Sequence, residues 1–205
     1  MTILKDGRTS NTLIIDSNNH LHADVISVNE ESHAARFGDK FNINTGDITL
    51  TSAAKTSVLY VKNTGDDDLA ITGLIYTLGN TTGGSGDIKI DVVRNPTAGD
   101  IITNANNVLV GTGVEANLNF GSTKSLSVLA YKGATGETAL SGGSVCLSTR
   151  LVSSGGRSVL SVGQIRLPKG ASIGIDYTPP TSNTSQIVQF AVATYVVTPL
   201  VHSEV

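Results

Sequence analysis

Alternation of apolar and polar residues with a period of two is the feature that most constrains the fold of this chain. Short runs such as Ile-Thr-Leu-Thr (48–51), Lys-Ile-Asp-Val (89–92) and Ser-Leu-Ser-Val (125–128) alternate in this way. Ser, Thr, Asn and Gly make up 82 of the 205 residues, and clusters of them with Asp separate the runs. Half-buried antiparallel strands joined by turns have this pattern. The sequence therefore predicts an all-β chain.

Nine strands are predicted, and they cover residues 47–52, 56–63, 69–78, 87–93, 125–131, 144–151, 158–166, 172–177 and 186–197. Turn sequences such as Asn63-Thr-Gly, Pro168-Lys-Gly and Pro179-Pro lie between them. Residues 94–124 are ambiguous, because apolar pairs alternate there with Asn-rich loops. This number of strands in one chain predicts two packed antiparallel sheets, arranged as a jelly-roll-like β-sandwich.

Residues 1–46 are predicted to form an N-terminal anchoring arm, and residues 47–205 the β-sandwich domain. The arm holds three of the four histidines and only scattered apolar residues, which are too few for a core of its own. A short helix is predicted from Val28 to Phe37, with Asn29 as its N-cap and Gly38 as its stop. The arm must pack on the main domain or bind a neighbour. The candidate interface residues are Ile14, Leu21, Val25, Phe37 and Phe41.

Charge and hydropathy exclude several classes of function. The 17 acidic and 14 basic residues are spread along the chain, and no basic stretch could neutralise a phosphate backbone, so no nucleic-acid partner is predicted. No run approaches the roughly 18 apolar residues that a membrane helix needs, so no membrane partner is predicted. The first residues lack the apolar segment of a signal peptide. The chain is therefore expected to be made in a cytoplasm.

The single cysteine, Cys146, excludes an internal disulfide. It stands in the alternating run Ser-Val-Cys-Leu-Ser, which predicts a buried and inert thiol.

One motif resembles catalytic machinery. Gly170-Ala-Ser172-Ile-Gly174 matches the G-x-S-x-G nucleophile elbow of the α/β-hydrolases, and Asp176 and His202 follow in the order of that family's triad. An elbow needs a strand, then a sharp turn that carries the serine, then a helix. Here the turn comes before the motif, and the residues after it keep strand spacing. The motif is interpreted as a strand opening after a turn, so no catalytic residue is predicted and the chain is predicted not to be an enzyme.

Candidate cofactor and metal motifs are also incomplete. Gly111-Thr-Gly113-Val-Glu-Ala116 resembles a dinucleotide fingerprint, but no helix follows to bind the pyrophosphate. His20 and His22 could supply two metal ligands, whereas zinc needs a third and usually a fourth. The consecutive acids Asp66, Asp67 and Asp68 do not have the alternate spacing of a calcium loop. No cofactor and no metal are predicted.

Several phrases of turn and strand sequence together resemble virion structural proteins of tailed bacteriophages, over nearly the whole chain. These phrases begin at Phe41, Val58, Gly83, Arg94, Ala130 and Leu167, and they read FNINTGDITLTS, VLYVKN, GGSGD, RNPTAG, AYKGATG and LPKGASIGI. The resemblance is to head decoration (cement) and head-fibre proteins, with similar β domains in tail and baseplate parts. It offers no site motif, so it assigns no functional residues.

The resemblance implies a non-enzymatic virion protein, made in the host cytoplasm and localised to the virion. It implies a homo-oligomer, commonly a trimer, whose N-terminal segment binds the major capsid protein or another virion protein. The expected role is that of a head decoration or cement protein that stabilises the capsid surface. The alternative is a tail or baseplate component that binds a host receptor or a surface glycan. A free carbohydrate-binding module fits less well, because the chain has nine Phe and Tyr residues and no Trp.

Overall fold

The computed structural model describes residues 3–5, 12–15, 21–22, 29–79, 82, 86–103, 115–152 and 156–197. Two helices are present there, α1 (Glu30–Phe37) and α2 (Asp100–Thr103). The strands are β1 (Ile3–Lys5), β2 (Thr12–Ile15), β3 (Leu21–His22), β4 (Lys40–Asn44), β5 (Ile48–Leu50), β6 (Thr56–Asn63), β7 (Asp68–Leu78), β8 (Asp87–Arg94), β9 (Glu115–Asn117), β10 (Val128–Lys132), β11 (Ser144–Val152), β12 (Gly156–Leu167), β13 (Ser172–Thr178) and β14 (Gln186–Val197).

Two antiparallel sheets form a sandwich. The front sheet has the strand order β10-β6-β13-β8-β11, and the back sheet has the order β12-β7-β14-β4-β9, with β5 also paired to β14. The pairings are nested: β4 and β5 pair with β14, β6 with β13, β7 with β12, and β8 with β11. A long hairpin folded over into two four-stranded sheets has this order, which is that of a jelly roll. The predicted all-β antiparallel sandwich is confirmed.

The main core lies between the two sheets and comes from alternate residues of their strands. From β8 it receives Ile88, Ile90 and Val92, and from β14 it receives Phe190 and Val192. This alternation is the pattern by which these strands were predicted from the sequence, and their bounds agree with the prediction to within a residue or two.

The connection between β8 and β11, residues 95–143, adds structure beyond the jelly roll. It supplies β9 to one edge of the back sheet and β10 to one edge of the front sheet. It also covers the outer face of the front sheet with a second apolar cluster, formed by Tyr60, Val93, Ile101, Tyr131 and Leu140. Strand β6 is consequently buried on both faces for most of its length.

Helix α1 forms where the sequence predicted it. The Asn29 side chain accepts a hydrogen bond of 2.7 Å from Ser32 N–H, and Gly38 ends the helix in the left-handed conformation, with φ of 76°. The helix lies on the outer face of the back sheet, where Ala34 packs against Ala70 and Tyr195. Neither α1 nor α2 is long and apolar enough to cross a membrane, within the part of the chain that the structure describes.

The end of the predicted arm belongs to the sandwich. Residues 40–44 form β4, which pairs with β14. Phe41, a candidate interface residue, is buried in the main core together with Ile43. The physical reason is that β4 closes the nested hairpin, so its inward side chains fill the core of their own chain. Among the described residues before position 29, β1, β2 and β3 pair with one another in a small sheet.

The prediction of a buried Cys146 is wrong. The thiol is exposed on β11, the last strand of the front sheet. A register shift between Val145 and Leu147 changes the side on which the intervening residue points. The Cys146 Sγ donates to the Val92 carbonyl oxygen at 3.3 Å.

Candidate interaction surface

The structure brings together few of the predicted interface residues. Phe41 lies in the core and Phe37 is exposed, while Ile14 and Leu21 fall in β2 and β3 of the small N-terminal sheet. Val25 lies outside the described residues. Only Phe37 is therefore a described, exposed apolar side chain from this set.

Phe37 shares a corner of the molecule with two other exposed apolar side chains, Leu118 and Phe120. Their exposed fractions are 52% for Phe37, 42% for Leu118 and 97% for Phe120. We call these three residues the aromatic corner. Large side chains of this kind are usually removed from water, and burying one stabilises a complex by about 2 kcal/mol.

Hydrogen bonds hold the two segments of the aromatic corner together. Leu118 N–H donates to the Lys40 carbonyl at 2.9 Å, and the Asn119 side-chain amide donates to the Arg36 carbonyl at 2.8 Å. The Asn117 amide donates to the Gly38 carbonyl at 2.9 Å. The loop after β9 is thereby fixed to the C-terminal end of α1, so the corner is presented by ordered backbone.

Charged and aromatic groups border Phe37. The His33 ring lies 4.5 Å from the Phe37 ring, centroid to centroid, and the Arg36 guanidinium lies 5.8 Å from the same centroid. Phenylalanine and arginine are both enriched where proteins bind one another. The corner therefore has the composition of a protein-binding surface.

The residues that resemble a hydrolase elbow form no such site. Ser172 is the first residue of β13 and is buried, and a strand follows it where an elbow has a helix. Its N–H donates to the Asn95 side-chain oxygen at 2.8 Å. Asp176 lies further along the same strand, and His202 lies outside the described residues. The interpretation of this motif as a strand after a turn is confirmed.

The metal motifs are not supported by neighbouring ligands. Within the described ranges, no group of three or more His, Cys, Asp or Glu side chains could hold a metal ion. Asp66 instead pairs with Lys169 at 2.5 Å, and this hydrogen bond and charge lower the pKa of Asp66. The resemblance to a dinucleotide fingerprint falls mostly outside the described residues.

A buried charge cluster lies on the outer face of the front sheet. Asp91 and Asp176 stand opposite each other on β8 and β13, and they are 1% and 0% exposed. The Lys55 Nζ lies 3.0 Å from Asp91 Oδ2 and 3.1 Å from Asp176 Oδ2. Like charges at opposed positions destabilise a sheet, and Lys55 offsets this repulsion. The Leu140 N–H also donates to Asp176 Oδ1 at 3.1 Å, which fastens residues 95–143 to the sheet.

The pKa values of the two carboxyl groups in this cluster are shifted in opposite directions. Burial raises the pKa of Asp176, and hydrogen bonds from Leu140 and Lys55 offset only part of that rise. Burial acts on Asp91 in the same direction, but hydrogen bonds from Ser148, Lys55 and Lys89 outweigh it and lower its pKa. Burial would lower the pKa of Lys55, yet its bonds to the two carboxylates outweigh this and raise it. Lys55 thus stays an ammonium, which suits an ion pair better than a nucleophile.

A shallow hollow of about 270 Å³ lies on the outer face of the back sheet, beyond the reach of α1. Its polar lining residues are Asn42, Asn44, Thr77 and Gln189. The Asn42 Oδ1 is buried and has no hydrogen-bond partner among the described residues. Such an acceptor favours a ligand that carries a hydroxyl or N–H donor.

Comparison with known proteins gives little. No protein-family model matches the chain, and no curated protein matches it. Among the solved structures that show a likeness are two of viral particles. One is the 2.6 Å structure of T=1 particles derived from infectious bursal virus, with 9% identity over 81% of this chain and 42% of the other, and a TM-score of 0.20. The other is the VP2 subviral particle of infectious bursal disease virus, with 13% identity over 81% and 41% and a TM-score of 0.12.

This chain spans about two fifths of the length of those capsid proteins. At such TM-scores the two likenesses carry no argument about fold or function. The all-β sandwich rests on the strand pairing of this chain itself.

Leu118 and Phe120 were missed as interface candidates from the sequence. They stand in Asn-Leu-Asn-Phe-Gly-Ser, where apolar residues alternate with turn residues as they would in a half-buried strand. The nearest signal is that Phe120 stands directly before Gly-Ser, since these residues indicate a turn and connecting segments run over the protein surface.

Proposed function

We propose that this protein is a non-enzymatic structural component of a virion, and specifically a head decoration or cement protein that binds and stabilises the capsid surface. The observation that carries this proposal is the aromatic corner, an exposed apolar surface on a rigid jelly roll, at the end of the segment predicted to anchor the protein. The resemblance of the sequence to decoration and head-fibre proteins supports the same role.

The partner we propose is the major capsid protein, bound through the part of the predicted arm that precedes β4, residues 1–39. Within that segment Phe37 is exposed, and Leu118 and Phe120 extend its surface. A homotrimer would present three such corners to the particle. Its interfaces would be heterologous and closed, so each copy would use two different surfaces to contact its neighbours.

Stabilisation would come from area buried at the junctions between capsid subunits. Each apolar Å² removed from water is worth about 25 cal/mol, and a trimer that straddles a junction adds this term to more than one subunit. Separating the subunits then requires the decoration protein to be removed as well. The particle resists internal pressure without any chemical step.

Immunogold electron microscopy of particles from the source lysate tests the location. An antibody against residues 47–205 is expected to label the icosahedral heads. Label confined to the tail tip would contradict decoration and favour adsorption to a host. Label on no particle would contradict a virion role altogether.

Variants test the surface. Phe37→Ser together with Phe120→Ser is expected to abolish binding of the purified protein to particles that lack it, measured by co-sedimentation. Ile187→Ser is the matched control, because Ile187 is an exposed apolar residue of β14, away from the corner. Equal binding of both variants would contradict the proposed surface.

The second candidate is a tail or baseplate component that binds a surface glycan, and the hollow on the back sheet favours it. Its amide and hydroxyl groups match the donors and acceptors of a sugar. The aromatic residue in its lining, Phe190, is buried in the main core and offers no exposed platform for stacking. Binding of glycans by the wild-type protein, lost in Asn42→Ala but kept in Phe120→Ser, would favour this candidate over decoration.

A further inference from the structure

The two lateral sides of the sandwich differ in their edge strands. On one side the sheets end in β9 and β10, which have three and five residues. On the other side they end in β11 and β12, which have nine and twelve residues. We call this second side the open side. A long edge strand presents a row of backbone N–H and C=O groups that can pair with another chain.

Each strand of the open side has one register shift, between Val145 and Leu147 in β11 and between Ser161 and Ile165 in β12, but the open side has few of the other features that discourage strand pairing. Neither β11 nor β12 contains proline, and the exposed fractions of Val145 and Val159 are 55% and 60%. Edge strands that stay free in solution are usually short, strongly charged or interrupted by proline. The open side therefore fits a paired strand better than a free one.

The open side and the N-terminal segment carry charges of opposite sign. Residues 138–175, which include β11 and β12, contain three arginines, one lysine and no acid. Residues 9–35, which include β2 and β3, contain four acids and no lysine or arginine. An even spread of charge was inferred from the sequence, but the negative charge of one segment and the positive charge of the other cancel in the net charge.

One ion pair already joins the two segments. The Arg166 Nη2 of β12 lies 3.1 Å from Glu30 Oε2 at the start of α1, and the same oxygen accepts a hydrogen bond of 3.0 Å from Tyr195. Helix α1 therefore begins beside β12. Thirteen residues lie between Ile15 and Asn29, and fully extended they span roughly 45 Å, enough to reach an adjacent molecule.

We propose that β2 (Thr12–Ile15) of one copy adds to the free edge of β12 in a second copy, so that N-terminal segments are exchanged around a homo-oligomer. Main-chain hydrogen bonds would supply the affinity, and the opposite charges of the two segments would orient the docking. Among the described residues β2 is the central strand of a sheet with β1 and β3, and a sheet of such short strands is too small to be stable alone. Addition to β12 therefore replaces one of these two short pairings with a longer edge. Exchange of an identical element is a low-cost route to an oligomer.

The inference goes beyond the proposed function. It concerns contact between copies, whereas Phe37 and the aromatic corner contact the particle, and it is tested with purified protein in the absence of capsids. Failure of either proposal therefore leaves the other standing.

Disulfide crosslinking tests the exchange in the full chain with Cys146→Ser as background. Val159→Cys is combined in turn with Leu13→Cys, Ile14→Cys and Ile15→Cys, since consecutive strand residues alternate between faces. At least one pair is expected to give covalent dimers and trimers after oxidation. Leu118→Cys replaces Val159→Cys in the control, because Leu118 is an exposed apolar residue at the opposite side of the back sheet.

The position of the crosslinks distinguishes exchange between copies from contact within one chain and from no contact. Crosslinks between chains that need Val159→Cys support the exchange. A disulfide within one chain would show that the segment covers its own β12, and absence of crosslinks would show that it binds neither; both results overturn the proposal. Equal crosslinking through Leu118→Cys would also overturn it, because the contact would then be unspecific.

Charge reversal gives a second readout that needs no cysteine. Asp16→Lys is expected to shift the oligomer toward monomer in analytical ultracentrifugation at low salt. Asp67→Lys, the same change at an exposed turn, is expected to leave it unchanged. The difference should disappear at about 1 M salt, where the Debye length is about 3 Å. An oligomer indifferent to Asp16→Lys at every salt concentration contradicts the role of charge.

Discussion

The two outer faces of the sandwich differ in how the rest of the chain covers them. The front sheet is covered by residues 95–143, which bury the apolar cluster around Leu140 and the ion pairs of Asp91, Asp176 and Lys55. Among the described residues, the eight of α1 cover part of the back sheet, and beyond α1 this sheet presents amide and hydroxyl groups in a shallow hollow.

The polar groups of the front sheet therefore serve stability, whereas those of the back sheet are available for binding. Polar groups on the front sheet lie in an apolar environment, so each needs its partner and its loss is costly. Polar groups on the outer face of the back sheet border solvent and can exchange partners with water or a ligand. Substitutions of the same type should therefore have unequal effects on the two faces.

The largest effect is expected for Asp176→Ala. It leaves Leu140 N–H without its acceptor and removes one carboxylate from Lys55, so the free energy of unfolding should fall by about 3 kcal/mol. Urea denaturation followed by circular dichroism measures it. The control on the other face is Thr77→Ala, expected to change stability by less than about 0.5 kcal/mol. Equal losses of stability in the two variants would contradict the proposed difference between the two faces.

A smaller effect, dependent on pH, is expected for Asp91→Asn. The pKa of Asp91 is lowered by folding, so its stabilisation is present above the unfolded pKa of about 3.9 and is lost as pH falls through the folded value. The free energy of unfolding of Asp91→Asn should be about 1.5 kcal/mol below that of the wild type at pH 7, and this difference should shrink on acidification.

Asp176→Asn is the matched variant with the opposite sign. Because folding raises the pKa of Asp176, ionisation of this group opposes folding as pH rises through the folded value. The free energy of unfolding of Asp176→Asn relative to the wild type should therefore be highest at neutral pH and should fall in acid. Identical pH profiles for the two variants would show that the carboxyl groups are equivalent.

The smallest effect is expected for Asn29→Ala, which removes the N-cap of α1 on the back sheet. The loss should be about 1 kcal/mol, because one capping hydrogen bond disappears while both sheets keep their pairing. Thermal denaturation measures it, and Asn29→Ser, which can still cap, is the control. A loss as large as that of Asp176→Ala would show that α1 is as integral to the fold as the cover of the front sheet.

Local patterns predicted the strands and the helix well. Alternation located β6, β8, β13 and β14, and Asn29 and Gly38 bounded α1, since both signals depend on neighbours in sequence. The order of the strands is set by contacts between distant residues, so alternation does not contain it. The arm was drawn too long for the same reason: only the pairing with β14 shows that residues 40–44 belong to the sandwich.

Burial of the outer faces was not predictable either. Asp91 and Asp176 occupy strand positions that should face solvent, and they are buried because residues 95–143 fold back over them. Residues 95–124 of that connection carried no clear pattern because their described part combines a four-residue helix with a three-residue strand, whereas β10 was predicted as a strand over residues 125–131. Of the aromatic corner, only Phe37 was predicted as an interface residue. Leu118 and Phe120 were missed because their exposure depends on how their loop packs against α1.

The nested pairing of the strands also fixes when the protein can fold during its synthesis. The first strand of the sandwich, β4, pairs with the last, β14, and the innermost pair is β8 with β11. Contacts so distant in sequence form slowly, and here the outer pairs form only after almost the whole sandwich has left the ribosome. Until then the apolar side chains of β4 and β6 have no core to enter, and unpaired strands of this kind are prone to aggregate.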